Sequence, residues 1–116
     1  MLSPVLIVIS GLPCSGKTTL GHWLAEELHL PFFHKDGIKE LLFDTLGWKD
    51  RAWSKQLSQA SNALLCYLAE GLLAAGAPVI IESNFDLQVS APILRSIIAR
   101  HQTAVIQIHC TANREV

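Results

Sequence analysis

The chain has 116 residues, half of them hydrophobic, and a formal net charge of −1. That is enough apolar surface for one domain with a core, and too much for a disordered chain. The near-neutral charge excludes a global field favouring nucleic acid or anionic membrane, although a local basic cleft stays possible. No apolar run approaches the roughly 18 residues of a membrane span, and the first residues lack the basic region of a signal peptide. Cys14, Cys66 and Cys110 are odd in number and have no metal or redox spacing, which fits thiols in a reducing cytoplasm.

The first element is a β-branched run, Val5-Leu6-Ile7-Val8-Ile9, which predicts a buried strand over residues 5–10. Next comes Gly11-Leu12-Pro13-Cys14-Ser15-Gly16-Lys17-Thr18, which fits G-x-x-x-x-G-K-[ST], the phosphate-binding loop of nucleoside-triphosphate enzymes. Binding a multiply charged polyphosphate needs many converging donors. Gly11 and Gly16 let the backbone take positive φ and come close to the ligand. The loop N–H groups then form an anion nest, reinforced by the positive end of the following helix dipole. Lys17 is expected to reach the β- and γ-phosphates, and the Thr18 hydroxyl to ligate Mg²⁺. Gly11, Pro13, Cys14, Ser15, Gly16, Lys17, Thr18 and Thr19 are the candidate nucleotide contacts, with Cys14 read as a small side chain. A helix is predicted over residues 16–29, where Leu20, Leu24 and Leu28 share one face and Trp23 is expected in the core.

A short strand follows at residues 31–34, then a helix over residues 36–46 with Ile38, Leu41, Leu42 and Thr45 on one face. Asp36 lies just past the second strand, where ligands sit in open α/β sheets. Its carboxylate can accept the proton of an attacking hydroxyl, or it can simply cap the helix. Lys39, one turn on, can hold an anionic group or be a solvated surface lysine. After a loop at residues 47–51 comes a long helix over residues 52–75, with Leu57, Ala60, Leu64, Leu68 and Leu72 as its expected stripe. Gly76 ends that helix and Pro78 blocks its continuation. The third strand, residues 78–82, ends in Glu82, a candidate Mg²⁺ ligand, with Ser83, Asn84 and Asp86 extending the polar cluster. Strand ends of this kind are also capped by Asn, Asp or Ser for structural reasons. A helix starting at Gln88 or Ser90 and ending at His101 and a strand over residues 103–109 complete the alternation, which predicts a parallel sheet covered on both faces. Residues 111–116 read as the start of another helix, so natural sequence is expected beyond Val116. The five histidines show no zinc spacing, and Cys66 and Cys110 read as core thiols. Trp48 and Trp53 either line an acceptor pocket or pack the helix beside them.

These residues resemble the AAA-type P-loop kinases related to bacteriophage polynucleotide kinase and chloramphenicol phosphotransferase. Three motifs carry the likeness: the loop at residues 11–18, Asp36-Gly37-Ile38-Lys39 against the family's D-x-x-R, and Glu82-Ser83-Asn84-Phe85 against its acidic-x-N segment. The resemblance implies a three-layer α/β/α P-loop NTPase fold with a parallel sheet in the order 2-3-1-4, truncated before a fifth strand. It implies one nucleotide-binding domain over residues 1–116 that transfers a phosphoryl group from ATP, with Mg²⁺, to a small-molecule hydroxyl. Asp36 would be the general base and Lys39 the substrate- or phosphate-binding cation. Lys in place of the commoner Arg removes the planar fork. The family's lid arginines have only Arg114 as a counterpart, so transfer by this form is expected to be weak. A nucleotide or polynucleotide 5′-hydroxyl kinase, and an ATP-binding regulatory module without an acceptor, are the alternative readings. No N-K-x-D segment for reading guanine is present. The acceptor regions, residues 36–60 and 84–90, hold Leu42, Phe43, Trp48, Trp53 and Phe85, and so favour a small, partly hydrophobic substrate.

Overall fold

Each strand and helix expected between residues 5 and 109 forms, while the helix start expected over residues 111–116 lies almost wholly outside the described residues. The computed structural model describes residues 4–11, 15–83 and 90–111. In chain order these are β1 (Val5–Gly11), α1 (Lys17–Leu28), β2 (Phe32–His34), α2 (Lys35–Leu46), α3 (Arg51–Ala74), β3 (Val79–Glu82), α4 (Ser90–Arg100) and β4 (Ala104–Cys110). All strand pairs are parallel, and the sheet order is β2-β3-β1-β4. Each strand therefore needs a crossover, and the helices that supply it cover the two faces.

Alternation along β1 divides the core. Leu6 and Val8 point to one face, where they pack with Leu65, Cys66, Ala69 and Leu73 of α3 and with Leu94 and Ile97 of α4. Ile7 and Ile9 point to the other, against Leu20, Leu24 and Ala25 of α1. β1 and β3 are almost wholly buried, as expected for central strands without a solvated face. Cys66 is a core thiol as predicted, and burial pushes its pKa up. Cys110 is half-buried and packs against the α1 side of the sheet.

Three packing expectations fail. Trp23 lies on the outer face of α1 and is 57% exposed. The three leucines of α1 do not reach as far as expected either, since Leu28 is about half exposed while Leu20 and Leu24 pack inward. On α3 the buried stripe is Leu57, Ser61, Leu65, Cys66, Ala69 and Leu73, while Ala60, Leu64 and Leu68 face outward. Ser61 can lie in that stripe because its hydroxyl donates to the Leu57 carbonyl at 2.6 Å. Small side chains at 61, 66 and 69 let α3 lie close to the sheet.

Register aligns the strand ends. Ile9 and His34 both stand opposite Glu82, and Gly11 stands opposite Cys110. The carboxyl ends of all four strands thus share one edge, where an open α/β sheet carries its ligand site.

Candidate phosphate-loop site

At that edge the backbone turns out of β1. Gly11 has φ +140°, and a Cβ built there would lie 2.1 Å from the Cys110 carbonyl oxygen. The position thus needs glycine for the close approach of β4 as well as for its dihedral. Gly16, at φ 83°, is the left-handed residue from which α1 starts, and its carbonyl accepts the Leu20 N–H at 2.9 Å.

Lys17 and Thr18 open α1 and both turn towards the sheet edge. Lys17 Nζ donates to the Gly11 carbonyl at 3.0 Å. Thr18 Oγ1 donates to Glu82 Oε1 at 2.9 Å, a contact between residues 64 positions apart. Glu82 is only 3% exposed. Its side chain projects to the α1 face because β3 alternates, with Ile80 on that face and Val79 and Ile81 on the other. Ser15 is half-buried and Thr19 is exposed. Pro13, Cys14 and Arg114, like Asn84, Phe85 and Asp86, lie outside the described residues.

Asp36 is exposed in the first turn of α2, and it is not the cap of that helix. His34 is: its Nδ1 accepts the Gly37 N–H at 3.1 Å. This bond assigns the ring hydrogen of neutral His34 to Nε2. The ring also stacks on Phe32 at 5.3 Å between centroids and meets His22 edge-on at 5.6 Å. Lys39 Nζ sits over the Phe43 ring, 5.5 Å from its centroid. It follows Asp36 by one turn, so the two belong to neighbouring positions on one helix face.

Asn62 of α3 was not foreseen. Its Oδ1 accepts the hydroxyl of Ser83, a residue that is 1% exposed, at 3.0 Å. This ties the middle of α3 to the end of β3 one residue after Glu82. The sequence carried no clear signal, because Asn62 follows Gln56, Ser58, Gln59 and Ser61 in a polar part of the helix. Trp53 is half-buried and donates from Nε1 to the Gly47 carbonyl at 2.8 Å, so it braces the loop before α3, while Trp48 is 71% exposed.

A hydroxyl and a buried carboxylate in contact form an all-oxygen donor pair, the chemistry that suits Mg²⁺. Among the described residues no group of three or more His, Cys, Asp or Glu gathers as a metal cage.

Solved structures share this architecture. A provisionally assigned kinase from Chloroflexus aurantiacus matches with TM-score 0.90 and 38% identity, covering 95% of this chain and 60% of that one. An APS kinase from Mycobacterium tuberculosis matches with TM-score 0.68 and 16% identity, over 97% of this chain and 78% of its own. A sugar kinase from a Janibacter species gives 0.56 and 21%, over 90% and 58%. The chain thus spans about three-fifths of the length of the Chloroflexus protein. No curated protein matches it. The parallel 2-3-1-4 sheet with its loop and helices is the fold of P-loop kinases. Over residues 6–116 the sequence matches the AAA domain family, and the chain belongs to that family.

Proposed function

We propose that this chain is the nucleotide-binding domain of an ATP-dependent kinase that phosphorylates a hydroxyl of a small molecule in the cytoplasm. The observation that carries the reading is the Thr18–Glu82 hydrogen bond beside Lys17, at the carboxyl edge of a parallel sheet. Thr18 and Glu82 would hold Mg²⁺, which neutralises phosphate charge when bound. Lys17 leaves the Gly11 carbonyl for the β- and γ-phosphates. The N–H groups of Cys14, Ser15, Gly16 and Thr19 bind phosphate oxygens, Pro13, which has no N–H, shapes the loop that presents them, and Arg114 adds positive charge from beyond β4.

Asp36 acts as the base. Its carboxylate takes the proton of the acceptor hydroxyl, the oxygen attacks the γ-phosphorus, and the bond from phosphorus to the bridging oxygen of ADP breaks. Support comes from His34, which caps α2 and leaves the Asp36 carboxylate exposed and uncommitted to the helix end. Lys39 orients an anionic oxygen of substrate or phosphate after leaving the Phe43 ring. The finer likeness to polynucleotide kinase and chloramphenicol phosphotransferase belongs to this reading and rests on the Asp36 and Glu82 motifs.

Asp36→Asn tests it. The variant should keep its affinity for MgATP and lose phosphoryl transfer by about a hundredfold or more, the scale of general-base catalysis. Unchanged turnover in a coupled ADP assay would remove Asp36 from the chemistry.

A further inference from the structure

Helix α3 runs antiparallel to β3. Leu73, near its end, packs with Val79 at the start of β3, and Asn62, near its middle, holds Ser83 just past the end of that strand. The part of α3 before Asn62 therefore extends beyond the end of β3. Arg51 lies eleven residues before Asn62 and Lys55 seven, so at 100° per residue both share its face to within about 20°. Ala69 and Leu73 lie seven and eleven residues after it on the same stripe, and both are buried against the sheet. One stripe of α3 is thus apolar over the sheet and basic where it runs past the end of β3. The overhang from Asn62 to Arg51 is roughly 16 Å.

This overhang carries an open groove of about 510 Å³ lined by Arg51, Ala52, Ser54, Lys55 and Ser58. No carboxylate is among these lining residues, and among the described residues neither Arg51 nor Lys55 makes an ion pair. The adjacent Asp50 is turned to another task, since its Oδ1 accepts the Trp53 N–H at 2.8 Å as the cap of α3. Lys49 is also apart, with Nζ 4.6 Å from the Trp53 ring centroid.

Two cations and two hydroxyls, with no carboxylate among the described lining residues and no ion pair to either cation, offer a site for an anion. We propose that this groove binds a phosphate, sulfate or carboxylate group of the phosphoryl acceptor, so that the substrate class is an anionic hydroxy compound. The proposal rests on the kinase reading above, and it replaces the partly hydrophobic acceptor expected from the aromatic residues of the sequence.

The test is amide NMR on the chain saturated with a non-hydrolysable ATP analogue and Mg²⁺, which occupies the phosphate loop. Inorganic phosphate, sulfate and acetate are titrated separately, and the preferred arm identifies the anionic group. Saturable shifts at residues 51–58 are expected for at least one of them, about tenfold weaker in Arg51→Ala/Lys55→Ala. Analogue affinity should be unchanged in that variant. Shifts absent from residues 51–58 with all three anions, or undiminished in the variant, overturn the proposal. Failure of the analogue itself to bind is read in the same samples and counts against the kinase reading instead.

Discussion

His34 does what Ser, Thr, Asp or Asn usually does at a helix start. Its ring can take that place only because residue 37 has no side chain, since a Cβ there would come within 2.5 Å of the ring. Gly37→Ala should therefore displace the cap and cost about 1 kcal/mol in a urea melt. In a His34→Ala background the same change should instead stabilise by about 0.5–1 kcal/mol, because alanine is the better helix residue. Equal effects in the two backgrounds would show that ring and glycine are not coupled. This pairing was not legible in the sequence, where Asp36 looks like the better cap and histidine is outside the usual set. The Thr18–Glu82 contact was legible as two separate expectations, because the loop pattern and the acidic strand end each carry their own chemical reason. Their meeting required the register of β1 against β3.

At the scale of elements, α3 decides how the site is braced and how its overhang is aimed. Its phase could not be read from hydrophobicity, because leucines occupy two adjacent stripes, at 64 and 68 and at 65 and 73. Burial separates them: Leu65 is fully buried and Leu64 is 40% exposed. Leu65→Ala should cost about 2–5 kcal/mol and Leu64→Ala about 1 kcal/mol or less, measured by chemical denaturation. The reverse order would rotate α3 and take Asn62 away from Ser83. The order and type of the elements were clear from glycine, proline and periodicity, and their ends shifted by a residue or so. β1 runs on to Gly11 and α2 begins at Lys35, ahead of Asp36.

At the scale of the molecule, β4 is paired on one side only among the described residues, and Val105 and Ile106 on it are 42% and 51% exposed. An edge of that kind can pair with further chain or with another molecule. The alternation of strand and helix made the parallel sheet legible. The sheet order came from the family likeness, since composition and periodicity do not choose between crossovers. What the whole fold achieves is a convergence of four strand ends on one edge, with α1 aimed away from it and α3 overhanging it. The account's central claim is that this edge binds a nucleoside triphosphate through Lys17 and the loop. Calorimetric titration of the chain with MgATP and with MgGTP, beside Lys17→Ala, tests it most directly. Saturable MgATP binding, at least about tenfold weaker in the variant, is the expected result. A folded chain that binds no MgATP, or binds it equally well without Lys17, would contradict the account.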